Sequence, residues 1–473
     1  MKEEFRIAWR NLWRNRRRTI ITAASVSFAV FFALVMRSVQ LGSYDHMINN
    51  FIGSFTGYLQ VQHIKYQDSP VVDNSFIYND SLIAAISSLD NVISVSPHLE
   101  SFTLASAGTQ TKGVAVIGID PEREKHFSDP EAKLVKYRIN EESFRKIQEE
   151  SPVPEKVLTG IRKNLGRSYS SLSRLEMELG LNDEEKTLFL PEILKHVEFA
   201  NAYLRGDDDG ILVSDRLSDF LGVGIGDSVI LMGQGYHGVS AAGIFPVRGI
   251  IKIPAPDLDN RVIIMTIPAA QELFDAGGRI SSLVINLTDR SERTIRSAGN
   301  RINSFIRDKD VTTRTWYELN PVLYQQIKGD SQSSVLVLAV LYFIIFFGIF
   351  GTVLMMVSER SKEFGVLVAI GMQKRKLRRV FAIEMILLGI AGLLTGVLVS
   401  LPPVIYFSHF PVILRGELGN MMETWGWEAV IATAGVGFYY FWQLVIVLIM
   451  ILLSTVYPLR KITKLKETEA LRA

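Results

Sequence analysis

The sequence contains no cysteine. That excludes a disulfide framework and every metal or redox site built on thiolates. The seven histidines are scattered and never take the HExxH spacing that holds catalytic zinc. No G-x-S-x-G nucleophile elbow occurs, and no G-x-x-x-x-G-K-[ST] loop that would cradle the phosphates of ATP. The chain is therefore not expected to be an enzyme or to hold a cofactor or metal of its own. Its net charge is only +2, so no global basic field argues for nucleic acid as a partner.

What the sequence has is apolar length. Hydrophobic residues make up 48% of the 473, and the mean hydropathy is +0.20, a balance that fits a membrane protein with a large soluble part. A bilayer-spanning helix needs about 20 apolar residues, and four segments reach that length. They give the expected spans 19–41, 331–357, 380–404 and 436–457.

Basic residues orient the spans. Arg6, Arg10, Arg14, Arg16, Arg17 and Arg18 precede the first, and Lys374, Arg375, Lys376, Arg378 and Arg379 lie between the second and third. Arg460, Lys461, Lys464 and Lys466 follow the fourth, whereas the loop 405–435 offers Arg415 against Glu417, Glu423 and Glu428. Both termini and segment 358–379 are thus expected in the cytoplasm, and 42–330 outside it. Within 1–18, Phe5, Ala8, Trp9, Leu12 and Trp13 recur at helical spacing opposite the arginines, which predicts an interfacial amphipathic helix on the inner leaflet.

The region 42–330 has mixed texture. GYLQVQHIKY, VAVIGI, RVIIMTI and SSLVINL alternate like strands, whereas DSLIAAISSL, VSDRLSDFLGV and PAAQELFDA read as short amphipathic helices. From about 122 to 205 the sequence turns charged and helix-favouring. The expectation is an α+β domain carrying a helical insert, set between spans 1 and 2 of a four-helix membrane protein. GQGYHG, residues 233–238, matches a dinucleotide fingerprint, but the Gly- and Pro-broken stretch after it predicts a loop between strands. GDDDG, residues 206–210, lacks EF-hand spacing and reads as a polar turn.

The stretch ERSKEFGVLVAIGM, residues 359–372, leaves the second span and returns to the third within a few turns. Phe364, Leu367, Val368 and Gly371 fall at i, i+3, i+4 and i+7, one apolar stripe that a short helix cannot leave bare in water. Either it lies on the membrane, held by the following basic run, or it docks in a groove of a cytoplasmic partner. Glu384, the one acid near a span, is expected to pair with Arg378 or Arg379 or to snorkel. Gly392 and Gly396 form a G-x-x-x-G pair suited to close helix packing, within the chain or at a dimer seam.

ERSKEFGVLVAIGM resembles a segment of permeases in the MacB/LolC/LolE/FtsX superfamily of ABC transporters. AWRNLWRNRRRT, VAVIGIDPE, ILVSDRLSDFLGVGIGD and the tail YPLRKITKLKETEALR resemble four further elements of that family, in order along nearly the whole chain. The insert is longer than expected for the family. The resemblance implies a mechanotransmitting permease of the bacterial inner membrane, without its own nucleotide-binding domain and paired with an identical or related second permease. A separate ABC-type ATPase would supply ATP and Mg²⁺. It further implies that Glu359, Arg360 and Glu363 make charged docking contacts with the ATPase, and that Phe364, Leu367 and Ile370 fill its groove. Gly371, beside Met372, would mark a close approach or helix end.

For a Lol-like member the cargo is a lipoprotein lifted from the outer leaflet toward a periplasmic acceptor. Membrane lipid or its acyl chains would then enter between Phe28, Phe31, Phe32 and Met36 of the first span and Phe343, Phe346 and Phe347 of the second. The alternatives are an FtsX-like regulator of an extracytoplasmic cell-wall enzyme, acting through the insert, and MacB-like efflux of peptides or amphiphilic drugs.

Overall fold

The computed structural model describes residues 2–14, 16–206, 208–414, 416–424 and 429–463. Asp207, Glu428, Lys464, Lys466 and the end of the tail motif lie outside them. The chain divides into two compact units: Met1–Met47 with Val322–Arg415 and Val430–Ala473, and Ile48–Pro321 with Gly416–Ala429.

Helix α1 (Lys2–Arg14) is amphipathic, as its spacing predicts. Its apolar residues divide between two rows, however. Ala8 and Leu12 are buried, while Phe5, Trp9 and Trp13, one helical row over, are about half exposed. Trp9 and Trp13 meet edge to face. Helix α2 (Arg16–Phe51) runs unbroken past residue 41.

The second unit is built on a nine-stranded sheet. Its strands are β1 (Leu59–His63), β2 (Val92–Ala107), β3 (Gln110–Ile119), β4 (Ile211–Ser214), β5 (Ser228–Gln234), β6 (Ser240–Ile251), β7 (Val262–Thr266), β8 (Ser282–Leu287) and β9 (Val311–Thr315). The order is β9-β1-β8-β2-β3-β7-β4-β6-β5, and β5 also pairs with β2. Strands β2 to β7 thereby close into a ring. Strand β2 can serve both halves because it is long: residues 92–98 pair with β8 and residues 103–106 with β5.

The remaining strands form, with β2, an antiparallel layer in the order of a split βαβ fold. Helices α3 (Asp80–Ser87) and α10 (Glu292–Phe305) make its two crossovers. The N–H groups on the far side of β9 are occupied: Thr313 donates to Asn303 Oδ1, Val311 to the Asp308 carbonyl and Thr315 to Glu318. Capping them this way stops the edge from recruiting another strand. The ring core gathers Leu99, Val116, Val213, Leu231 and Ile263, the alternate inward residues of strands whose period is two.

The insert between β3 and β4 has its own core, including Ile139, Ile147, Ile161, Leu175 and Ile193. It consists of α4 (Glu141–Glu150), α5 (Glu155–Arg162), α6 (Leu172–Leu179) and α7 (Asp183–Val197), with a two-stranded ribbon of 137–139 and 167–169. Asn140 and Asn182 each cap a helix by a reciprocal capping box. Helices α8 (Asp215–Leu221) and α9 (Ile267–Leu273) pack on the ring. GQGYHG is, as expected, the turn between two strands, β5 and β6.

Among the described residues, helices α11 (Pro321–Glu359), α13 (Lys374–His409) and α14 (Tyr439–Thr463) complete, with α2, the four helices long and apolar enough to cross a membrane. Between α11 and α13 lies the nine-residue helix α12 (Ser361–Ala369). Within the segment 358–379, the basic run 374–379 forms the start of α13. One apolar core joins Val26 and Leu34 of α2, Val353 of α11, Phe381 and Leu388 of α13, and Val447 of α14. Gly392 and Gly396 meet α2 within the chain: a Cβ at either would stand 2.6 Å from Val26 or Val30. That proximity assigns the G-x-x-x-G pair to packing inside the subunit.

Candidate functional site

Helix α12 is short because the chain turns at both ends. Gly371, with φ +105° and no neighbour within 4 Å of a would-be Cβ, ends it. Gly371 is therefore a helix end, and among the described residues nothing approaches it closely.

The inward face of α12 is locked. Arg360, just before the helix, is 3% exposed, and its Nη1 lies 2.5 Å from Oε1 of equally buried Glu384 on α13. Its guanidinium also sits 5.2 Å from the ring centroid of Phe364, which is buried edge to face against Phe381. Arg360 Nε reaches Glu363 Oε2 at 3.3 Å, and Arg14 of α1 reaches the same oxygen at 3.1 Å. Lys376 pairs with Glu3, and Arg379 with Glu4. Helix α1, α12 and the start of α13 are thus sewn together by charge.

These contacts correct two expectations. Arg360 and Phe364 cannot offer docking surface, because their atoms are spent inside the bundle. The partner of Glu384 is Arg360 rather than Arg378 or Arg379, since the turn after α11 swings Arg360 onto α13 while Arg379 faces α1.

The outward face of α12 is bare. Ile370 is 80% exposed, and Val366 and Leu367 are also exposed. Glu359, Lys362 and Glu363 are exposed around them, while Val368 and Met372 pack against the bundle core. The stripe read from spacing is therefore two faces. Phe364 and Val368 point in, Leu367 points out, and Val366 joins it, a residue that periodicity alone did not single out. Hydrophobic residues on both sides of so short a helix satisfy one partner inside the chain and leave one outside it.

The phenylalanines of the expected lipid opening form two groups. Phe32 touches Phe28 and Phe31 on α2, and Phe347 touches Phe343 and Phe346 on α11. Phe28, Phe32, Met36, Phe343 and Phe347 are exposed, whereas Phe346 packs on the bundle core. Among the described residues no ring of one group contacts a ring of the other.

Two buried polar knots attach the insert to the ring. Glu124, at the start of the insert, accepts from Ser96 and Ser128 at 2.5 Å and lies 2.9 Å from His98 Nε2 of β2. Burial alone would push the His98 pKa down, but the Glu124 and Glu100 carboxylates outweigh it and raise it to about 10. At the far side Arg138 Nη2 lies 2.5 Å from Asp215 Oδ1, whose other oxygen is 2.9 Å from Lys252 Nζ. Burial opposes ionisation of Asp215, and these two cations overcome it to hold its carboxyl below the usual range. No cluster of His, Asp and Glu suited to a metal occurs among the described residues.

Residues 335–466 match the family described as FtsX-like permease C-terminal. The chain is 22% identical to the lipoprotein-releasing system transmembrane protein LolC of Xylella fastidiosa (strain 9a5c) over 321 residues, covering 62% of this chain and 71% of that protein. Against a LolC of another strain the match spans 52% of the relative's length. It is 32% identical to ABC transporter permease YtrF of Bacillus subtilis over 136 residues, 26% of this chain and 28% of that one. Among solved structures, the periplasmic region of MacB from Actinobacillus actinomycetemcomitans matches at 13% identity and a TM-score of 0.30, covering 59% of this chain and 95% of that one. Among the described residues, four helices are long and apolar enough to cross a membrane, and a large α/β domain lies between the first two, as a permease of this type requires. The family match over 335–466 and the similarity to LolC support a place for the chain among FtsX/LolC-type ABC transporter permeases.

Proposed function

We propose that α12 is the platform on which a separate ATP-hydrolysing subunit docks, and that its movement is carried through α13 and the bundle to the domain 48–321. One observation carries this reading: α12 is locked to the bundle by Arg360 and Phe364 while Val366, Leu367 and Ile370 stand exposed. A helix so held passes on a push instead of rolling. ATP and Mg²⁺ belong to the partner, since this sequence holds no phosphate loop. Two permeases pair around two ATPases, with α1, α12 and the C-terminal end of α14 in the cytoplasm by their basic residues and the large domain outside.

The substrate class we favour is a lipidated protein released from the outer leaflet of the inner membrane toward a periplasmic acceptor. The LolC relatives and the exposed phenylalanines on α2 and α11 support it. A second reading, regulation of an extracytoplasmic cell-wall enzyme, is favoured by the insert, whose separate core and two ionic attachments make it a rigid arm that moves with the ring. MacB-like efflux has no such observation behind it.

The paired variant Leu367→Asp with Ile370→Asp tests the docking role. The ATPase should no longer co-purify, while the permease still extracts as a folded protein. Retained co-purification would overturn the role. Mass spectrometry of the wild-type complex then separates the substrates, by bound lipoprotein or by a bound soluble hydrolase.

A further inference from the structure

The outer face of the ring across β3, β2, β5 and β6 carries an apolar patch, with Glu100 of β2 and Arg248 of β6 at its margins. Register places Leu104 beside Met232 and Ser106 beside Ile230, and Ile230 beside Ile244. Phe102, two residues before Leu104, shares the face. These five apolar side chains are between 40% and 69% exposed. Small residues sit among them: Gly113 opposite Leu104, Ala115 opposite Phe102 and Ala242 opposite Met232. Charged residues form 21% of the chain, and an ordinary soluble surface is about a quarter to a third charged. Their absence from the centre of this patch is the mark of a contact surface.

We propose that this face pairs with the same face of a second copy of the chain about a two-fold axis. The inference rests on the pairing of permeases in the proposed function and adds where the large domains meet. The outside of a closed strand ring cannot enclose an acyl chain or a small molecule, so the occupant is another protein surface. A patch with an uncharged centre, and one charge of each sign at its margins, can meet itself without like-charge repulsion at the contact. Its alternation of large and small side chains lets a copy related by the two-fold set its Leu104 and Met232 over the partner's small positions.

Area points the same way. The five side chains present on the order of 500 Å² of apolar surface, short of the roughly 800 Å² per partner that a free-standing complex buries. Two chains held in one membrane need less, because anchoring raises their effective concentration.

The native absence of cysteine makes the test direct. The full-length chain is expressed in its own membranes as Leu104→Cys or, separately, Met232→Cys, and treated with a bismaleimide. Glu184→Cys, exposed on the insert, is the control. Both face variants should give a cross-linked homodimer in clear excess over the control. Adding Phe102→Asp and Ile244→Asp to Leu104→Cys should cut that yield by about tenfold or more, since each pair of like faces would then bury unpaired carboxylates. A yield no greater than the control, or an adduct with a different protein, overturns the proposal. Co-purification of two differently tagged chains is read in parallel: pairing without the cross-link rejects this face alone, and no pairing rejects a second copy as the paired permease as well.

Discussion

Arg360 Nη1 and Glu384 Oε1 stand 2.5 Å apart, both side chains only 4% exposed. They join the residue that opens the short helix to the third long one. Removing one member of such a pair leaves a buried charge without its partner, which costs about 3–5 kcal/mol, whereas replacing both with apolar groups is often neutral. Arg360→Met and Glu384→Leu should therefore each lower the unfolding temperature of the purified permease sharply, and the double variant should recover most of the loss. If transmission depends on this lock, the double variant keeps its stability and loses coupling of ATP hydrolysis to transport. A double variant as unstable as the two losses summed would show that the pair does not act as a unit.

The contact of α13 with α2 is set by glycine. At Gly396 a Cβ would stand 2.6 Å from that of Val30 and 2.8 Å from the Ser27 carbonyl oxygen. Gly396→Ala should then force the helices apart at a cost of about 1–3 kcal/mol. Adding Val30→Ala relieves the side-chain half of the clash, so thermal unfolding of the double variant should fall between the single variant and wild type.

His98 makes the large domain sensitive to alkali. Its folded pKa, raised to about 10, lies above the ordinary value of about 6.5. The stabilisation it contributes is fully present below about pH 6.5 and declines as pH rises toward 10. The melting temperature of wild type should fall through that window more steeply than that of His98→Gln. Parallel curves for the two proteins would show that the Glu124 pairing contributes nothing to this dependence.

How much of this was legible depends on whether a signal is local. The spans were, because a run such as Val335–Val357 needs no partner to be recognised. So were most of the strands, and Asn140 and Asn182 announce their helices. The closing of the ring was not, because it depends on β2 being shared between β8 and β5 across more than a hundred residues of chain. Nor was the partner of Glu384: Arg378 and Arg379 are nearer in sequence, but the break at Gly371 reverses the chain and presents Arg360 instead. The stripe on α12 was seen as one face because Phe364, Leu367 and Val368 satisfy the helical period. Burial then divided it, sending Phe364 inward and leaving Ile370 exposed.

The central claim is that the exposed side of α12 receives the ATPase, and a single thiol at Ile370 tests it most directly. With no native cysteine to compete, Ile370→Cys treated with a short bifunctional maleimide in membranes should capture the ATPase subunit, and the yield should change with nucleotide as the ATPases close. Glu184→Cys, on the other side of the membrane by the proposed topology, should capture none of it. Capture of the ATPase at position 184 and not at 370 would contradict both the docking surface and the orientation of the chain.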